Sequence, residues 1–245
     1  MHDESLESQH TPRAIQSRLQ AATEHSYLGD FVLGAVDGTV TTFAVVSGVA
    51  GAGMDSFVAI ILGLANLLAD GFSMAVGNYL STQADRQVVD RVRRMEEAHI
   101  ERIPEGEREE IRQIFKAKGF DGPLLEEIVQ VITQDRKQWV DTMLTEEFGL
   151  RLETPSPVKA GLTTFAAFVL AGAIPLLPFL LPGRLEPRTI FALSAACTAC
   201  AFFLIGVAKG HVVHRSLLLS GLETLGIGSA AALLAYLVGL ALGGS

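Results

Sequence analysis

Residues 34–48 read GAVDGTVTTFAVVSG. The stretch is small, apolar and β-branched almost throughout, yet one carboxylate, Asp37, stands inside it. A membrane helix needs about 20 mostly apolar residues to cross about 30 Å of hydrocarbon. The run that holds this stretch, residues 31–53, is long enough, and so are 57–80, 159–181, 189–208 and 217–242. The reading is an all-α polytopic membrane protein with five transmembrane helices. A short turn around Gly51–Asp55 joins the first two spans. The third should end at Pro178 and Pro182 with Gly183 turning the chain, and the fourth near Gly210, ahead of His211 and His214.

The bulk numbers agree. Of 245 residues 49% are hydrophobic, mean hydropathy is +0.36, and the 24 glycines match the glycine enrichment of membrane helices. Charge is unevenly placed: residues 82–155 are dense in Asp, Glu, Lys and Arg, whereas 31–80 and 158–242 are nearly uncharged. Two environments, lipid and water, explain that division. It also divides the chain into a cytoplasmic N-terminal segment (1–30), transmembrane helices 1–2 (31–81), a cytoplasmic acidic helical metal-binding domain (82–156) and transmembrane helices 3–5 (157–245).

A net charge of −8 argues against nucleic acid as a partner, because phosphate binding needs clustered Lys and Arg. The only cysteines, Cys197 and Cys200, lie in an apolar run, so a disulfide framework is not expected. Residues 1–30 are polar and lack the apolar core of a cleavable signal peptide.

Orientation follows from Lys and Arg. With five spans, the N-terminus, the 82–158 insert and the 209–215 loop share one side. That side holds Arg13, Arg18, thirteen Lys and Arg from Arg86 to Lys159, then Lys209 and Arg215; the other holds Arg184 and Arg188. The N-terminus and insert are therefore expected in the cytoplasm.

The insert reads as three helices. The first continues the second span through about Glu101 and stops before Pro104; the second covers about 105–117; the third covers about 123–148 and stops at Gly149. Trp139, Val140 and Met143 have helical spacing and should pack against Ile111, Ile114 and Phe115.

A carboxylate inside a membrane span is costly and marks function by default. Asp30, seven residues before Asp37, shares its helix face and serves either as an interfacial cap or as part of an ion path. Gly34, Gly38 and Gly48 would permit close helix packing or thin the wall of a pore. On the second span Asn66, Asp70, Met74 and Asn78 step by four along one face. Amide and carboxylate oxygens with a thioether sulfur suit a partly dehydrated first-row divalent cation, whereas Mg²⁺ or Ca²⁺ would not need the sulfur. Met74 alone could equally be core packing.

A second cluster lies in the insert. Glu96 and His99 form Glu-x-x-His, one helical turn apart, as carboxylate metal sites do. Glu107 and Glu110 repeat the i,i+3 step, and the third helix ends with Met143, Glu146 and Glu147. Any one of these acids could be a solvated face. Glu223 in the fifth span either titrates or pairs with Lys209 or His211, and Cys197 and Cys200 read as small apolar fillers.

DGTVTTFAVVSG, then LANLLADGFSMAVGNYLS, then an acidic insert ending WVDTMLTEEFGL, resembles the vacuolar iron transporter family, and its bacterial members most closely. The resemblance covers about residues 25–242. It implies five membrane helices per protomer, a homodimer with the ion path between protomers, and proton-coupled export of Fe²⁺, often also Mn²⁺, from the cytoplasm, with protons as counter-ion and no organic cofactor. It assigns pore roles to Asp37 and Met74, an entrance role to Asp30, and cytoplasmic metal binding to Glu96, Glu107, Glu110, Met143 and Glu147. This chain departs from the family pattern at His99, where plant members have Glu, at Met143-Leu144, where they have paired Met, and at Asn78, where Glu is frequent. The expected location is the cell inner membrane. Rival readings are a membrane-bound metal sensor and a ferritin-like iron oxidase, the latter short of the second Glu-x-x-His that a diiron site needs.

Overall fold

The structure is a computed structural model and describes residues 8, 10–21, 26–181, 186–213 and 215–243. Pro182, Gly183, Arg184 and His214, invoked above, lie outside these residues. All regular elements among the described residues are helical. They are α1 (Pro12–Ala21), α2 (Leu28–Gly51), α3 (Ser56–Arg102), α4 (Pro104–Ala117), α5 (Gly122–Gln134), α6 (Arg136–Glu146), α7 (Pro157–Gly172), a 3₁₀ helix (Ile174–Leu180), α8 (Pro187–Val212) and α9 (Leu217–Gly243).

Four of these helices, α2, α3, α8 and α9, are long and apolar enough to cross a membrane. α7 and the 3₁₀ helix are long and apolar enough only when taken together, and they are bent by 41°. The expected single helix over 159–181 is therefore two pieces. Pro175 has no N–H for the helical ladder and Pro178 sits inside the 3₁₀ segment, so the regular helix stops at Gly172. The Ser194 hydroxyl of α8 donates to the Pro175 carbonyl at 2.6 Å and satisfies an acceptor left at the bend.

The chain forms two compact units, Ser26–Leu80 with Pro157–Ser245 and Met1–His25 with Ser81–Ser156. In the first, α2 packs against α7, α8 and α9. Gly34 and Gly38 make the approach to α7 possible. A Cβ at Gly34 would lie 2.2 Å from the Thr164 carbonyl oxygen, and one at Gly38 would lie 2.3 Å from that of Phe168. Of the two roles open to these glycines, close helix packing is the one they serve against α7. Phe43, Val46, Val49, Leu67, Phe168 and Leu176 fill the core, while Leu68, Phe72, Leu170, Leu219 and Leu242 point outward as a lipid-facing surface must.

In the second unit, Ile111, Leu125, Val129, Ile132, Trp139 and Met143 form one apolar cluster, with Ile114 and Phe115 against it. Val140 instead joins Val89, Val92 and Leu144 on the adjoining face. The helix expected over 123–148 is divided. Asp135 adopts extended backbone (φ −107°, ψ 114°), and its side chain accepts the Gln138 N–H at 3.0 Å, capping α6 and ending α5. Aspartate competes well with the helix for its own neighbouring backbone, which is why the break falls there.

Candidate metal centres

The first centre lies in the insert, where α3 gives way to α4. Pro104 cannot continue α3 but starts α4 well, since the first helical position needs no N–H. The chain reverses at Ile103, and Glu107 comes back against the last turns of α3. His99 Nδ1 stands 3.2 Å from Glu107 Oε1 and 3.9 Å from Glu96 Oε1. One ligand atom from each of Glu96, His99 and Glu107 fits within 4.8 Å of the others, a spacing that suits one cation.

Burial and pairing separate these acids from the rest. Glu105 pairs with Arg108, Glu109 with Arg112, Glu146 with Lys118, and Glu101 with Arg136. Arg112 also holds Glu126 at 2.7 Å, and Arg93 holds Asp141 at 2.7 Å. Among the described residues, none of Glu96, Glu107, Glu110 and Glu147 has a Lys or Arg at ion-pair distance. Glu96 is 1% exposed and Glu107 4%, and each keeps a buried Oε2 without a hydrogen-bond partner. Buried carboxylate oxygens left unpaired are costly in a protein but are what a metal ion requires.

The electrostatics draw in two more predicted ligands. Burial pushes the Glu96 carboxyl up to about 8, helped by the charge of Glu107, a hydrogen bond to Glu107, and the charges of Glu147 and Glu110. Glu110 and Glu147 are exposed, and both are raised, first by partial burial and then by their acidic neighbours. Four carboxyl groups thus share one field with His99 beside them. Met143 is fully buried in the apolar cluster with Ile111 and Trp139.

The second centre lies in the membrane unit. Asp30, Asp37, Asn66, Asp70, Met74 and Asn78 are all half-buried. Asp37 on α2 and Asp70 on α3 interact through their charges. Asn66 Nδ2 donates to the Thr41 hydroxyl at 3.1 Å, and that hydroxyl donates to the Asp37 carbonyl at 2.9 Å. Asn78 Nδ2 donates to Asp30 Oδ1 and to Thr164 Oγ1, each at 2.7 Å. Met74 packs against the Phe43–Phe168 cluster. The predicted stripe therefore bonds to α2 in two places, Asn66 at Thr41 and Asn78 at Asp30, and Asp70 lies within charge range of Asp37.

Sequence reasoning missed Thr41 and Thr164. A threonine in an apolar helix reads as filler, and only the partner across the helix interface shows its role. Glu223 lies 3.5 Å from Lys209, both well exposed, which selects Lys209 over His211 as its partner among the described residues. Cys197 and Cys200 are exposed, free thiols.

Comparison with known proteins adds a family. Residues 28–240 match the VIT family. The chain is 33% identical over 202 residues to the vacuolar iron transporter of Toxoplasma gondii, covering 79% of this chain and 67% of that protein. It is 32% identical over 210 residues to vacuolar iron transporter 1 of Arabidopsis thaliana, covering 84% and 82%. Against vacuolar iron transporter 1 of Oryza sativa subsp. japonica the identity is 28% over 217 residues, covering 87% and 84%.

Proposed function

This chain belongs to the VIT family, and on that premise we propose that it is a carrier, not an enzyme, moving Fe²⁺ and also Mn²⁺ out of the cytoplasm in exchange for protons. The relatives named as iron transporters support the metal. The carrying observation is the pair of interacting carboxylates, Asp37 and Asp70, on two apolar helices with no Lys or Arg between residues 31 and 80. Like charges within range of each other in a low-dielectric medium favour a cation between them. A proton and a divalent metal can each supply that charge, and alternation between them is an exchange cycle.

In this reading Asp30, Asp37, Asn66, Asp70, Met74 and Asn78 line the path. Hard oxygens and a soft thioether favour a first-row transition ion over Mg²⁺. The path is completed by a second copy of the chain, with the multi-pass protein in the cell inner membrane and its insert in the cytoplasm. There Glu96, His99, Glu107, Glu110, Met143 and Glu147 gather metal from solution and raise its local concentration.

The test is Fe²⁺ and Mn²⁺ flux into proteoliposomes under an imposed pH gradient, wild type against Asp37→Ala. Gradient-driven flux that is lost in the variant is expected. Equal flux in both would remove Asp37 from the path. Metal bound at the insert with no flux in either would turn the reading to a membrane-bound sensor.

A further inference from the structure

Among the described residues, Asn78 makes the shortest hydrogen bonds between side chains of different helices in the membrane unit, and its chemistry is directional. Its Nδ2 carries two N–H groups, and both are used: one on Asp30 Oδ1 and one on Thr164 Oγ1, each at 2.7 Å. Thr164 is fully buried, and its one hydroxyl proton has two carbonyl acceptors in reach, Ala160 at 3.0 Å and Asp30 at 3.5 Å. Its oxygen is therefore an acceptor toward Asn78. With acceptors on both sides, the amide nitrogen is fixed toward Asp30 and the amide oxygen away from it. Asp30 itself sits in the first turn of α2, where the helix dipole favours its negative charge.

We propose that Asn78, oriented by Thr164, is the positioning residue for the Asp30 carboxylate. It holds one oxygen of Asp30 by a neutral donor and leaves the other to meet an incoming cation. The mouth of the path then offers a single carboxylate in a fixed pose, a weak and quickly released site, where a second acid at position 78 would make a tight one. The inference rests on the reading that Asp30 stands in the ion path.

The experiment is Mn²⁺ flux in proteoliposomes, read as KM and maximal rate separately, for full-length wild type, Asp30→Asn, Asn78→Asp, Thr164→Val and Thr164→Ser. Thr164→Val keeps the shape but removes the acceptor that orients Asn78, so KM should rise about 3- to 10-fold at unchanged maximal rate, as loss of one neutral hydrogen bond predicts. Thr164→Ser should restore it. Asn78→Asp sets two carboxylates side by side, so KM should fall while the maximal rate drops because release slows. Wild-type KM and rate in both Asn78→Asp and Thr164→Val, with Asp30→Asn impaired, would overturn the positioning role and leave the path intact. Wild-type flux in Asp30→Asn would remove Asp30 from the path and the inference with it.

Discussion

His99 Nδ1 and Glu107 Oε1 stand 3.2 Å apart across the reversal at Ile103, with buried Glu96 beside them. An imidazole and two buried carboxylates brought within reach of one point, with Glu101, Glu105, Glu109 and Glu146 tied up by Arg and Lys, form a candidate cation site.

Removing one ligand there should show directly. Glu107→Gln or His99→Ala is expected to weaken Mn²⁺ binding to the purified full-length protein about tenfold or more, measured by titration calorimetry. Glu109→Gln, which touches only exposed contacts with Arg112 and Gln113, should leave the affinity unchanged. Equal losses in all three variants would mean that the acidic face acts as a diffuse charge and not as a site.

The raised Glu96 carboxyl gives a pH dependence with a definite sign. Its usual value is 4.5 and the folded value is about 8, so between these the folded insert holds a proton that the unfolded chain has lost. This contribution to stability is full below about 4.5 and is lost as pH rises through about 8. Metal must displace that proton, so Mn²⁺ affinity should rise across the same interval and binding should release protons. The single, buried Trp139 reports unfolding by its fluorescence. The metal-free protein should melt at lower temperature at pH 8 than at pH 5.5, and added Mn²⁺ should reverse the trend.

Asp70 should matter as much as Asp37. Asp70→Asn removes half of the charge pair while keeping the size of the side chain, and metal flux is expected to fall more than about tenfold with insert binding intact. Flux at the wild-type rate would mean that Asp37 works without it.

Gly38→Ala tests the helix contact. The added methyl would meet the Phe168 carbonyl oxygen at 2.3 Å, and backbone cannot swing aside as a side chain does. The expected cost is about 1–3 kcal/mol, seen as a lower melting temperature in detergent. Gly77→Ala, with open space around its Cα, should be neutral to mildly stabilising.

Much of the architecture was legible. Apolar run length located four helices long enough to cross and the bent α7–3₁₀ pair, because the requirement for about 20 apolar residues is local and every residue can be scored for it. Glu96, His99 and Glu107 were visible as turn-spaced candidate ligands for the same reason. Their neighbours were not separable: in the run Glu105–Glu110 every acid looks alike until Arg108 and Arg112 claim Glu105 and Glu109.

The sequence by itself determined which runs are apolar enough to enter lipid, which segment is charged enough to stay in water, and which residue types could hold a metal. Each of those is a property of composition and short-range spacing. Only the tertiary structure decided which acids stay unpaired, that α5 and α6 part at Asp135, that Gly34 and Gly38 face α7, and that Asn78 is shared between Asp30 and Thr164. Asp30 is 48 residues from Asn78 and Thr164 is 86. A hydrogen bond is decided by distance through space, and no local pattern encodes which distant oxygen an amide will find.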